Sequence, residues 1–245
     1  MSSHILKGYK FFFGPYDISS LVERPRFDWR TAVVDNTGMS AETYRSFLSG
    51  LEEGRFDLEA YWSEGSTELS GVLENPNLNY DGNPVTLYPN IEPGTFGGIS
   101  AQITRAIPIR SEKIGDIARL RFMAQLYSPA IRTTPIYPLT TRTATGTFDT
   151  TPLNLGSVAS GKKLYGFLHV TDVSGGLTSA VISFQSSSSE GGSYSTKLIF
   201  STVSGTYAEM KTIDGPITDT WWRQRCSIYG TPPLSITFTS AWGVK

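Results

Sequence analysis

Reactive side chains are scarce. The 245-residue sequence has one cysteine, Cys226, and two histidines, His4 and His169. A lone cysteine rules out an internal disulfide framework, and no Cys/His cluster has zinc spacing. A phosphate-binding loop, a dinucleotide glycine fingerprint, an HExxH and a GxSxG elbow are all missing. No long apolar run is present either: Phe11–Phe13 is too short and too interrupted for a signal core or a membrane span. The sequence therefore predicts a soluble, non-membrane protein made in the cytosol, with its aromatic N-terminal run serving as a core or interface strand. Charge of one sign is lacking too: 21 basic residues face 22 acidic ones, for a formal net charge of -1. Such a balance argues against a dedicated nucleic-acid grip and leaves little repulsion between copies.

What is present is mostly alternation. Phe56, Leu58, Ala60 and Trp62 alternate with Arg55, Asp57, Glu59 and Tyr61, so one strand carries an apolar face and a face of mixed charge. Ile99, Ala101 and Ile103 alternate with Ser100, Gln102 and Thr104, and Ala118–Leu126 repeats the pattern with Arg119 and Arg121 on the polar side. Before these, Tyr44, Phe47, Leu48 and Leu51 fall at helical spacing. Ser40 suits an N-cap, Met39 a staple and Gly54 a C-terminal cap, so the pattern predicts one amphipathic helix over 39–54. Gly50 inside it and Glu52 and Glu53 at its negative end are unfavourable there. Residues 65–95 read as a long loop with a short strand at Val85–Leu87.

The Pro/Thr-rich stretch 131–152 reads as an extended connector between a domain over 1–130 and a C-terminal antiparallel β domain over 153–245. The latter has strands near 163–171, 179–186, 196–203, 220–229 and 234–242, enough for a small sandwich or half-barrel.

Catalytic readings are poor. His169 lies in the apolar run LYGFLHV, where a hydrogen-bonded structural histidine is expected, and Cys226 lacks a neighbouring histidine to activate it. Asp57, Glu59 and Glu64 could be imagined as a glycosidase pair, but solvated or cross-strand-paired carboxylates are far commoner. Trp221, Trp222 and Tyr229 are stacking candidates for a carbohydrate-binding or adhesin module. Adjacent tryptophans in a strand point to opposite faces, so one of the two should be core.

The run VVDNTGMSAETYRSFLSGLEEGRFDLEAYWSEG resembles the central motif of the tail tube (major tail) proteins of long-tailed bacteriophages: an F-L-x-G-L-x-x-G turn feeding a strand that ends in an aromatic pair. NPVTLYPN through GDIARLRFMAQLYSP is similar to that family's next hairpin, and YDISSLVERPRF to its opening strand. LYGFLHVTDV through GPITDTWWRQRCSIYG to FTSAWGV resembles the second portion of the longer members. DNTGMS departs from the family's usual T-T-F-G-D wording.

The resemblance implies a non-enzymatic virion protein, assembled in the host cytoplasm, with a mainly β tube fold (sandwich or split barrel) flanked by one helix. It implies rings, a hexamer or a pseudo-hexameric trimer, stacked into a tube that passes double-stranded DNA. Tape measure, terminator and tip proteins are the implied partners. No metal or cofactor is implied. On that reading Arg55, Asp57, Glu59, Tyr61, Arg119 and Arg121 form a lumen or inter-subunit strand face, Arg119 and Arg121 being neutralised by carboxylates. Tyr44, Phe47, Leu48 and Leu51 form the helix packing face, and the 65–95 loop bridges rings.

Overall fold

The computed structural model describes residues 9–35, 47–61, 82–111 and 119–245. These residues form fourteen strands: β1 Lys10–Phe13, β2 Tyr16–Asp17, β3 Val22–Asp35, β4 Phe47–Tyr61, β5 Asn83–Tyr88, β6 Gly98–Ser111, β7 Arg119–Leu126, β8 Ile131–Arg142, β9 Gly146–Asp149, β10 Leu153–Asn154, β11 Lys163–Ser187, β12 Ser195–Ile199, β13 Tyr207–Asp214 and β14 Trp221–Val244. Every pairing between them is antiparallel, and the sheet they share stays open.

The alternation read from the sequence sets the first core. Phe56, Leu58 and Ala60 on β4 and Phe122 and Ala124 on β7 are buried, packed with Phe11 and Phe13 on β1, Val85 on β5 and Ala101 and Ile103 on β6. Phe11 stacks on Phe56 with ring centroids 5.2 Å apart, and Phe13 meets Phe122 edge-on at 5.1 Å. Each such ring contributes about 1.5–3 kcal/mol by leaving water. Strand β6 is the shared spine. Its first half pairs with β5 and its second with β7, across a register shift between Ile103 and Arg105.

No helix forms in the described part of 39–54. Phe47, Leu48 and Leu51 belong to β4, with Phe47 opposite Asp35 and Leu48 opposite Val34; Tyr44, Met39 and Ser40 lie outside the described residues. The long β3 offers a row of backbone partners, and completing that ladder outweighs a local helical pattern that Gly50 and the two glutamates had already weakened. Gly54 is not a cap: it sits opposite Trp29, where a Cβ would come within 2.5 Å of Leu126 Cδ1. Its job is to let Leu126 cross the strand.

Residues 131–142, read as connector, are extended but integral. β8 pairs with β14 along most of its length and with β6 at Gly98–Ser100, joining the two halves in one sheet. Its threonines and prolines gave no apolar period because Thr133, hydrogen-bonded to Ser100, and Thr134 are buried alongside Ile131 and Ile136.

The second core comes from one long ribbon. β11 and β14 pair from Leu164↔Val244 to Ser187↔Trp221, with register shifts near Gly175 and Leu177. At those shifts the ribbon doubles back. Leu164, Leu168 and Val170 from one arm share a core with Ala180, Ile182 and Phe184 from the other, and Gly166 lies directly beneath the Phe184 and Phe200 rings. The stretch DVSGG is thus a bend within a strand. Gly175 takes φ +70, and a Cβ on Gly176 would come within 2.0 Å of the Thr231 carbonyl oxygen, so the two strands meet here backbone to backbone. Strand β13 had no counterpart in the sequence reading.

Candidate functional site

The mixed-charge face spans three strands. Register puts Asp28 opposite Arg55 and Arg26 opposite Asp57 on β3 and β4, then Asp57 opposite Met123 and Glu59 opposite Arg121 on β4 and β7. Tyr61 pairs with Arg119 by backbone register. Opposite residues share a face of the sheet, so Arg55, Asp57, Glu59 and Arg121 lie together with Arg26, Asp28 and Arg30. The last three were not singled out from the sequence, although they alternate along RFDWR at 26–30.

Asp57 is the hub. Its Oδ1 lies 3.0 Å from Arg55 Nη2 and its Oδ2 3.7 Å from Arg121 Nη2. On β3, Asp28 Oδ2 lies 3.6 Å from Arg26 Nη2 and 3.2 Å from Arg30 Nη2. Arg55 also reaches the Met123 sulfur. The arginines are half-exposed or more, so each pair contributes only about 0–1 kcal/mol. The lattice's main effect is on potential: Arg55, Asp57, Glu59 and Arg121 sum to zero, and the β3 trio adds a single positive charge.

His169 lies elsewhere, at the seam between the halves. β11 is buried on both sides here; its even residues face the second core, while Phe167 joins Phe12, Tyr88, Ile131 and Ala241 in a third cluster. The His169 ring stacks on Phe12 at 5.3 Å. Its Nδ1 donates to the Gly14 carbonyl at 2.7 Å, and its Nε2 accepts from the Thr86 hydroxyl, 2.8 Å away. A carbonyl can only accept, so the proton sits on Nδ1 and the ring is neutral. Burial pushes its pKa down to about 4, with the Gly14 hydrogen bond opposing. This is a structural histidine without a substrate-facing atom. The FFF run explains the seam: Phe11 and Phe13 enter the first core, while Phe12 points the other way onto His169.

The other sequence candidates separate. Trp222 is fully buried and donates from Nε1 to the Gly156 carbonyl at 2.8 Å, whereas Tyr229 is 55% exposed, so Trp221, Trp222 and Tyr229 make no common stacking platform. Cys226 is buried in the second core, and burial raises its thiol to about 12, the opposite of what a nucleophile needs. Glu64 and Trp62 lie outside the described residues, as does His4. Among the described residues no group of three or more His, Cys, Asp or Glu could hold a metal.

The outer margin of the second half carries polar guards. Lys211 Nζ donates to the Ile199 carbonyl at 3.0 Å, and the Glu209 carboxylate accepts from Ser201 N at 2.7 Å and Ser201 Oγ at 2.8 Å. These bonds tie the β12 side to β13 and occupy edge groups that another chain would otherwise use. At the far margin of the first half, β3 pairs among the described residues with β4 alone, from Val22↔Ala60 to Asp35↔Phe47.

No protein-family model matches the chain, and no curated protein matches it. Among solved structures it is similar to a chain from the tail of an empty GTA particle refined with C6 symmetry, at 13% identity and TM-score 0.34, covering 45% of this chain and 80% of that one. It is similar to the Dit protein of SPP1, described as a hub of the adsorption apparatus in phages infecting Gram-positive hosts, at 12% identity and TM-score 0.35, covering 95% and 98%. A chain of the phage p2 baseplate in its activated conformation gives 11% identity and TM-score 0.32, covering 96% and 98%. Likenesses this slight carry no argument about function.

Proposed function

We propose that this chain is a structural subunit of a bacteriophage tail that closes with copies of itself into rings, stacked as a tube that conducts DNA. The observation that carries the reading is the pairing of β3 on one side only among the described residues. A fourteen-residue margin, broken by Pro25 at one point, is a liability for a solitary molecule and a joint for a ring, because heterologous contacts that close remove every edge. The ordered sequence motifs resembling tail tube proteins supply the particular assembly.

On this reading Arg55, Asp57, Glu59, Tyr61, Arg119 and Arg121 face the lumen or a neighbouring subunit. DNA carries about one negative charge per 1.7 Å of axis, so a wall of unpaired arginines would retain it, while pairing Arg55 and Arg121 with Asp57 weakens that grip. Residues 1–130 are the tube unit, 131–152 the connection and 153–245 a second unit. The guarded β12–β13 margin supports placing that second unit outside the ring's closing contacts, and so six chains per ring over three. Tape measure, terminator and tip proteins are the partners this role requires, in the virion tail.

The test is to concentrate the purified chain and view it by negative-stain microscopy. Stacked rings with a central channel and six-fold class averages are expected. A chain that stays monomeric at high concentration, or that binds glycans on an array as a stable monomer, overturns the proposal.

A further inference from the structure

A second surface stands apart from the charged strand face. Where the Gly98 end of β6 meets β8 and the C-terminal end of β14, a cleft of about 540 Å³ opens, lined by Phe96, Ile99, Arg132, Thr134, Trp242 and Val244. Its size falls within the range of binding clefts, about 300–1,000 Å³. Three observations make it unlike ordinary surface. Phe96 is 74% exposed at the rim, an aromatic ring left in water. Trp242 is only 6% exposed, and its buried indole N–H has no acceptor among the described residues. Arg132 is exposed and has no ion pair with a carboxylate among the described residues.

The chemistry of these groups is one-sided. The walls are largely apolar, and the side-chain group left without a partner at the surface is the Arg132 guanidinium, a charged donor. A complementary occupant brings an apolar side chain with a negatively charged acceptor beside it. We propose that this cleft docks a peptide segment of a partner protein, in which an aliphatic or aromatic side chain sits between Phe96 and Trp242 and an adjacent carboxylate pairs with Arg132. An aromatic anchor beside an arginine is a recurrent composition of interface hot spots. The proposal is independent of ring formation, since it uses neither β3 nor the mixed-charge face.

The test titrates the full chain by calorimetry with three short, otherwise Ser/Gly peptides centred on Leu-Glu, Leu-Lys or Ser-Glu. The Leu-Glu peptide should bind with Kd of about 1 mM or tighter, and the other two at least about tenfold more weakly. Arg132→Glu should reverse the preference toward Leu-Lys, and Phe96→Ser should weaken Leu-Glu binding about tenfold with an unchanged melting curve, since Phe96 is exposed. Equal affinity for the acidic and basic peptides, undiminished binding by both variants, or no binding by any peptide overturns the proposal. So does concentration-dependent self-association that Arg132→Glu abolishes, because the occupant would then be a second copy of this chain.

Discussion

Acidification is the sharpest probe of the seam between the halves. His169 is neutral in the folded protein with a pKa lowered to about 4, against 6.5 when unfolded. The unfolded chain therefore binds more protons than the folded one between those values. The stabilisation that neutral His169 contributes is fully present above pH 6.5 and is lost as pH falls toward 4. That gap corresponds to about 3 kcal/mol, a sizeable part of a typical domain's stability of about 5–15 kcal/mol. The assay is urea unfolding of the wild type and of His169→Gln at half-unit steps from pH 7.5 to 4. The variant's stability at neutral pH drops, because Gln cannot reproduce the stacking on Phe12 and both hydrogen bonds. Its stability should then fall less steeply with acid than that of the wild type, the two curves converging by about 3 kcal/mol. Asp149, held below the usual carboxylate range by its hydrogen bonds to Arg225, and Asp219, lowered by Ser186 and then Lys197, lose their contributions only below the ordinary carboxylate pKa, outside this window. Parallel curves, or a His169 resonance titrating near 6.5 in the native protein, would refute the reasoning.

Other consequences can be checked alongside. Gly176→Ala should cost about 1–3 kcal/mol in a denaturant melt, because its Cβ would press on the Thr231 carbonyl and force the β11–β14 bend apart. Phe56→Ala empties the centre of the first core and should cost about 3–5 kcal/mol by the same measurement. Asp57→Asn should change monomer stability by less than about 1 kcal/mol. It leaves Arg55 and Arg121 less neutralised, so binding to duplex DNA in low salt, read by fluorescence polarisation, should strengthen and become more salt-dependent; unchanged binding would separate the charged face from DNA passage. The Cys226 thiol should resist a disulfide reagent at pH 8 in the native protein and react at once in urea, given its burial and its pKa of about 12.

Much of the architecture was legible where a pattern had a single physical solution. Strict alternation at Arg55–Ala60 and Arg121–Ala124 forced one face inward, and the burial of Phe56, Leu58, Phe122 and Ala124 follows it residue by residue. The run LYGFLHV correctly indicated an apolar strand and a structural histidine. Patterns with two solutions misled. The spacing of Tyr44, Phe47, Leu48 and Leu51 fits a helix, but a strand tolerates Phe47, Leu48 and Leu51 when a neighbouring ladder needs closing, and that ladder is set by β3. The Pro/Thr-rich stretch looked like a linker because its burial rests on hydrogen-bonded threonines, Thr133 among them at 3.0 Å from Ser100, which no hydropathy count registers.

By itself the sequence determined the β class, the inward residues of β4 and β7, the inert character of Cys226 and His169, and the opposed charges available for one face. Those properties follow from side-chain type and from spacing within a single strand, which are local. Only the tertiary structure decided that Asp57 bridges Arg55 and Arg121, that β8 stitches the halves together, that the β11–β14 ribbon doubles back at Gly175 and Gly176, and that Trp242 closes a cleft with Phe96. Each of these depends on register and crossing between segments distant in the chain. Registers of that kind are chosen by the sum of all the pairings, and no single stretch of residues encodes them.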